Sequence, residues 1–225
     1  MRLPDGWVYP VGNFIMHSGL RAFANYKVEG REGVSPRGGM LVVSNHMSYI
    51  DPALLAIAIP RRLHFLAKES AFRTPLVKYI LKGYGAFPIN RDGRDIKGFR
   101  WALDQLQKGE ALSIFPEGAR NPDGLIKPVP GVVQLHLKSQ APILPVAITG
   151  SGHLRGYHRI FTPTGNIKVT IGSPFSLPMF EEKLQKAQVD AMADMIMRRI
   201  ADLLPESQRG VYSRGSSTPA KPGEH

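Results

Sequence analysis

The chain has 225 residues, 43% hydrophobic and 21% charged, which suits one globular domain able to bury roughly 70% of the surface its unfolded form exposes. It contains no cysteine, so disulfides, thiolate nucleophiles and cysteine-ligated zinc are excluded. A net charge of +11 predicts attraction to an anionic partner such as a membrane surface, a nucleic acid or a phosphorylated substrate.

Taken in chain order, Trp7, Val8, Val11, Phe14, Ile15, Leu20 and Phe23 fall at helical spacing, with Arg21 and Lys27 beyond. This predicts an amphipathic helix in an N-terminal segment, 1–28, read as an interfacial helix on an anionic membrane surface, with packing on the protein's own core as the alternative that the same spacing allows. Asp5, Gly6 and Pro10 break what would otherwise be a leader, and no basic region precedes an apolar core, so no secretory signal is expected. The longest strongly apolar run, 53–59, is far below the ~18 residues needed to span a bilayer. The expected location is therefore peripheral, on the cytoplasmic face of the cell membrane.

A polar, glycine-rich connection over 29–39 leads to a buried strand over 40–43, which ends at Ser44-Asn45-His46. Asp51 as N-cap and Pro52 in the first turn predict a helix through Ile59. Strands over 63–67, 86–89, 111–115, 143–149 and 167–171 alternate with helices over 75–81, 99–108 and 131–138, and a long amphipathic helix is expected within 181–204. The alternation predicts an α/β fold, a sheet flanked by helices, in a catalytic domain covering 29–205. Residues 206–225, rich in Ser, Gly, Pro and charge, are expected to form a flexible tail.

His46 precedes Asp51 by five positions. On a continuous helix five residues turn about 500°, about 140° net, so the two side chains would diverge. A loop between strand and helix can instead fold the carboxylate back to one imidazole nitrogen. The other nitrogen then faces a substrate, where a neutral imidazole takes a hydroxyl proton and the carboxylate fixes its tautomer. Arg91, at the end of Gly85-Ala86-Phe87-Pro88-Ile89-Asn90-Arg91, and Arg120, at the end of Phe115-Pro116-Glu117-Gly118-Ala119-Arg120, each follow a predicted strand end, where ligands bind in such sheets. An arginine there can hold a phosphate monoester bidentately, and Glu117 could position the polar groups of an acceptor.

Asn45 to Pro52 (NHxSxxDP), Gly85 to Arg91 (GxFxxxR), Phe115 to Arg120 (FPEGxR) and Pro145-Val146-Ala147-Ile148 stand in order. With Ala67-Lys68-Glu69 and Phe72-Arg73-Thr74-Pro75, they make the stretch from about 40 to 171 resemble the lysophosphatidic acid acyltransferase family. The resemblance implies a mixed central sheet flanked by helices and direct acyl transfer, without an acyl-enzyme, from acyl-CoA or acyl carrier protein to lysophosphatidic acid at a membrane. It assigns His46 as base and Asp51 as its orienter, with Asn45, Ser48, Lys68, Arg91, Glu117, Gly118 and Arg120 binding substrate.

Two positions depart from the family pattern. Ala119 replaces a usual Thr or Ser, and Val129 replaces a lysine two residues before Gly131, although Lys127 could supply that charge from a shifted position. Another lysophospholipid or a glycolipid hydroxyl is thus the alternative acceptor, and a noncatalytic lipid-binding protein is the alternative class. No metal or further cofactor is expected, since His17, His64, His153 and His158 lack ligand spacing and His136 reads as a core or surface residue. Gly150-Ser151-Gly152 to Gly156 misses GxGxxG by one residue, and no GxSxG elbow is present. Dispersed basic residues without a recognisable motif argue against nucleic acid.

Overall fold

The computed structural model describes residues 6–90, 95–179 and 184–213. Seven strands form one sheet in the order β1-β7-β6-β2-β5-β3-β4: β1 (Ala24–Glu29), β2 (Met40–Ser44), β3 (Leu63–Lys68), β4 (Ala86–Ile89), β5 (Ala111–Ile114), β6 (Ile143–Thr149) and β7 (Gly165–Ile171). Every neighbouring pair is parallel except β6 and β7. The sheet is mixed, as the family resemblance implies.

Its centre, β2, is buried at every residue, and successive side chains feed opposite layers. Met40 and Val42 pack with Met16, Leu20, Leu54 and Leu55, under helices α1 (Val8–Phe23) and α2 (Asp51–Ala58). Leu41 and Val43 pack with Val133, Ile196, Met197 and Ile200 on the other face. That face is covered by α4 (Ile96–Gln107), α5 (Gly131–Ser139) and α6 (Lys186–Ala201). Helix α3 (Pro75–Gly83) lies beside α1 at the margin, where Tyr79 meets Trp7 at 6.4 Å between ring centroids.

The chain leaves β2 towards β3 and β4, returns to insert β5 beside β2, and then crosses to place β6 on the other flank of β2. Strand order thus reverses around β2, and the crevice outside its carboxyl end is where such a sheet holds a ligand. Val43 is in register with Ile114 of β5 and Pro145 of β6, so the loops leaving all three strands emerge together.

Two boundaries differ from expectation. Ala24–Glu29, read as part of the N-terminal helical segment, is edge strand β1, whose alternate residues Asn25, Lys27 and Glu29 are exposed. Their alternation with Ala24, Tyr26 and Val28 is the period-2 pattern of a half-buried strand, and outward polar side chains suit an edge. Residues 206–213, read as flexible, are ordered as two one-turn 3-10 helices with Tyr212 buried. Residues 214–225 lie outside the described residues.

Candidate active site

The loop between β2 and α2 folds around one carboxylate. Asp51 was expected to cap α2, yet the N-cap position is Ile50 and no side chain caps this helix. The carboxylate turns backwards instead. Its Oδ2 accepts hydrogen bonds from the Met47 and Ser48 amides, both at 2.7 Å, and lies 2.9 Å from Nδ1 of His46. Oδ1 accepts from the Ser151 hydroxyl at 2.7 Å. Asp51 is fully buried, and its four donors satisfy the desolvated carboxyl and fix its orientation. With Nδ1–H donating to Asp51, Nε2 of His46 is the nitrogen left for substrate.

His46 itself is clamped by the loop that follows β5. Phe115 stacks on the imidazole with centroids 4.0 Å apart. The His46 amide donates to Glu117 Oε1 at 2.9 Å, and its carbonyl accepts from the Asn121 amide at 2.7 Å. Glu117 Oε2 accepts from the Ile126 amide at 3.2 Å. Burial pushes the Glu117 carboxyl up to about 7, opposed by these two amides and assisted by the nearby Asp51 charge. With both oxygens on backbone amides, Glu117 holds His46 in place and does not reach towards an acceptor.

The remaining expected residues divide into two groups. Asn45 bridges strands, its amide donating to the Ile148 carbonyl at 2.9 Å and its oxygen accepting from the Ile148 amide at 2.8 Å. Ser48 donates to the Leu154 carbonyl at 2.6 Å. Both are buried and act on the loop. Arg120 is exposed at the rim, with its guanidinium 3.7 Å from the centre of the Tyr49 ring, a stacking that pre-orients the cation. Gly118 takes φ +69°, a left-handed conformation that lets the motif turn from the Glu117 side to the Arg120 side.

Lys68 is exposed at the carboxyl end of β3, on the same sheet edge as His46. Arg91 lies outside the described residues. Lys127, considered as a substitute cation, is ion-paired with Asp194 at 2.8 Å. The backbone amides of Met47, Ser48 and Asp51 are all occupied within the loop. His136 is a core residue, Nδ1 donating to the Ala141 carbonyl and Nε2 accepting from the Leu177 amide. Ser151 is a site residue that sequence reading missed. Its signal was its position just past β6, the strand beside the one that delivers His46.

A buried His–Asp pair at a sheet switch point is an arrangement that general-base chemistry on a hydroxyl requires. Comparison with known proteins then supplies the family: the acyltransferase family model matches residues 25–149, and the chain belongs to that family and is an O-acyltransferase. It is 26% identical over 179 residues to a 1-acyl-sn-glycerol-3-phosphate acyltransferase of Bacillus subtilis, covering 79% of this chain and 87% of that protein. To a lyso-ornithine lipid O-acyltransferase of Pseudomonas aeruginosa it is 33% identical over 152 residues, 66% of this chain and 58% of that one. Its fold matches the crystal structure of the 1-acyl-sn-glycerophosphate acyltransferase PlsC of Thermotoga maritima with a TM-score of 0.67 and 25% identity. That match covers 90% of this chain and 83% of the other.

Proposed function

We propose that the protein transfers a fatty acyl group from acyl-CoA or acyl carrier protein to the free hydroxyl of 1-acyl-glycerol-3-phosphate, giving phosphatidic acid. The observation that carries this is the His46–Asp51 pair, 2.9 Å apart and buried, in a family whose relatives bear that activity in their names. Nε2 of His46 takes the acceptor's hydroxyl proton as its oxygen attacks the thioester carbonyl. The carbon–sulfur bond then breaks, and the imidazolium returns the proton to the departing thiolate. Asp51 keeps Nδ1 protonated throughout and stabilises the transient positive charge.

The lipid acceptor lies in a membrane, and the reading extends to peripheral binding on the cytoplasmic face. Support comes from the exposed side chains of α1, with Phe14 at 72%, and of α3, with Leu76 at 67%, beside Arg21, Lys78 and Lys82. Apolar side chains next to cations suit a headgroup layer containing anionic lipid. No helix among the described residues is long and apolar enough to cross a membrane.

A second acceptor is favoured by two specific features. Ala119 and Val129 replace the hydroxyl and cation expected near a phosphate, and one relative acts on a lyso-ornithine lipid, whose headgroup is an amino acid. The test is release of free thiol from palmitoyl-CoA or palmitoyl acyl carrier protein in vesicles, with lysophosphatidic acid, lyso-ornithine lipid or no acceptor, for wild type and His46→Ala. Acceptor-dependent release that falls roughly 10⁴-fold in the variant is expected. Near-normal turnover by His46→Ala would remove His46 as the base, and preference for the ornithine lipid would replace the acceptor.

A further inference from the structure

Beyond α6 the chain turns back across the loop that grips His46. After Leu204, two one-turn 3-10 helices over Glu206–Gln208 and Gly210–Tyr212 bring backbone against Leu125. The Leu125 amide donates to the Gln208 carbonyl at 3.2 Å, and the Val211 amide donates to the Leu125 carbonyl at 3.1 Å, so both backbone groups of Leu125 are clasped. Tyr212 closes the clasp: its hydroxyl donates to Asp194 Oδ1 at 2.5 Å, beside the Lys127–Asp194 ion pair. Leu125 and Tyr212 are both buried, so the seat is packed as well as hydrogen-bonded.

The residue after Leu125 is Ile126, whose amide holds Glu117, whose other oxygen holds the His46 amide. The same 121–127 loop contributes the Asn121 amide to the His46 carbonyl, and the Asn121 side chain donates to the Gly124 carbonyl at 2.6 Å. The His46 backbone is thus held at its carbonyl by this loop and at its amide by Glu117, which the loop holds through Ile126, and the loop is held from behind by residues 206–213. We propose that Glu206 to Ser213 is a positioning strap that keeps His46 in its reactive position through Leu125, Ile126 and Glu117. The proposal rests on the reading of His46 as base, but its physical link is independent of the reaction.

Gly210 is the point at which to test it. It takes φ +52°, and a Cβ there would lie 2.1 Å from the Leu125 carbonyl oxygen and 2.6 Å from its amide nitrogen. Gly210→Ala therefore cannot seat on Leu125, while altering no group within the site. Two readouts are made on the full-length variant: amide hydrogen exchange by NMR, and kcat with the KM values for palmitoyl-CoA and lysophosphatidic acid.

The Ile126 and His46 amides should exchange roughly tenfold or more faster, with Val42 and Leu112 of the sheet unchanged. kcat should fall roughly tenfold, since small misplacements of a catalytic group are costly, with both KM values held. In a Glu117→Gln background Gly210→Ala should lower kcat little further, because the linkage is already cut. Unchanged His46 exchange overturns the proposal, as does an equal loss of kcat in both backgrounds. Should Gly210→Ala fail to fold, Tyr212→Phe, which keeps the ring and loses only the bond to Asp194, must move both readouts in the same direction. If wild type transfers no acyl group at all, the functional reading fails and the exchange data alone decide the strap.

Discussion

Two regions of this molecule are built in opposite ways. Around His46 and Asp51 polar groups are buried and each is partnered: Asp51 has four donors, and the His46 backbone is held at both its amide and its carbonyl. Along α1 and α3 the reverse holds, with Trp7, Phe14, Leu76 and Ile80 exposed over a quarter or more of their surface. The first is preorganised for a reaction before substrate arrives. The second leaves large apolar side chains exposed. Substitutions in the first should therefore change turnover, and substitutions in the second should change where the protein sits.

The sharpest break in the first region after His46→Ala is Asp51→Asn. An asparagine oxygen at the Oδ2 position can still accept from His46, Met47 and Ser48, and its amide can donate to Ser151, whose hydroxyl rotates from donor to acceptor. The fold and the tautomer survive while the charge is lost. Turnover should fall about 10² to 10³-fold with KM little changed, and the melting temperature should move far less than turnover. Unfolding together with inactivity would show that the charge is structural rather than catalytic.

A pH dependence follows from Glu117. Its folded carboxyl titrates near 7, against an ordinary value of 4.5, so its contribution to stability is fully present below pH 4.5 and is lost as pH rises through 7. The raised value corresponds to on the order of 3 kcal/mol. Glu117→Gln abolishes that titration, so urea unfolding should show wild type gaining on the variant as pH falls from 8 to 5. A constant difference across that range would mean that Glu117 stays ionised throughout.

In the second region, Phe14→Glu and Ile80→Glu should each weaken binding to anionic vesicles roughly tenfold, the scale set by burying one large apolar side chain. Turnover on detergent-dispersed substrate should be unchanged, and wild-type affinity should fall with salt. Loss of turnover in detergent would mean that these helices serve the site directly.

The sequence made the strands legible wherever burial was continuous. Met40 to Ser44 and Ile143 to Thr149 read plainly because central strands covered on both faces carry near-continuous apolar runs. Ala24–Glu29 did not, although its residues alternate, because it follows α1 with no turn between them and extends that helix's run of apolar and basic side chains. At the site, the His46–Asp51 contact was foreseeable from five residues of spacing, since a strand-to-helix turn leaves few alternatives. Ser151 joins Asp51 across 100 residues, and Glu117 joins His46 across 71. No local pattern reports such distances. The ordering of 206–213 depends likewise on a seat at Leu125 that composition does not reveal.

Arg120 stands on the boundary between the two regions and carries the smallest predicted effect. It is exposed, yet its guanidinium is laid on Tyr49, within the loop that Asp51 organises. If it meets an acceptor phosphate, the contact is one charge-assisted hydrogen-bonded pair at a solvated rim, worth about 1.5 kcal/mol. Arg120→Ala should then raise KM for lysophosphatidic acid roughly tenfold and leave kcat within about twofold. KM for an acceptor without a phosphate should hardly move. An equal rise for both acceptors would assign Arg120 to ordering Tyr49 and its loop. The phosphate would then have to be met elsewhere on the same sheet edge, where Lys68 is the next exposed cation to substitute.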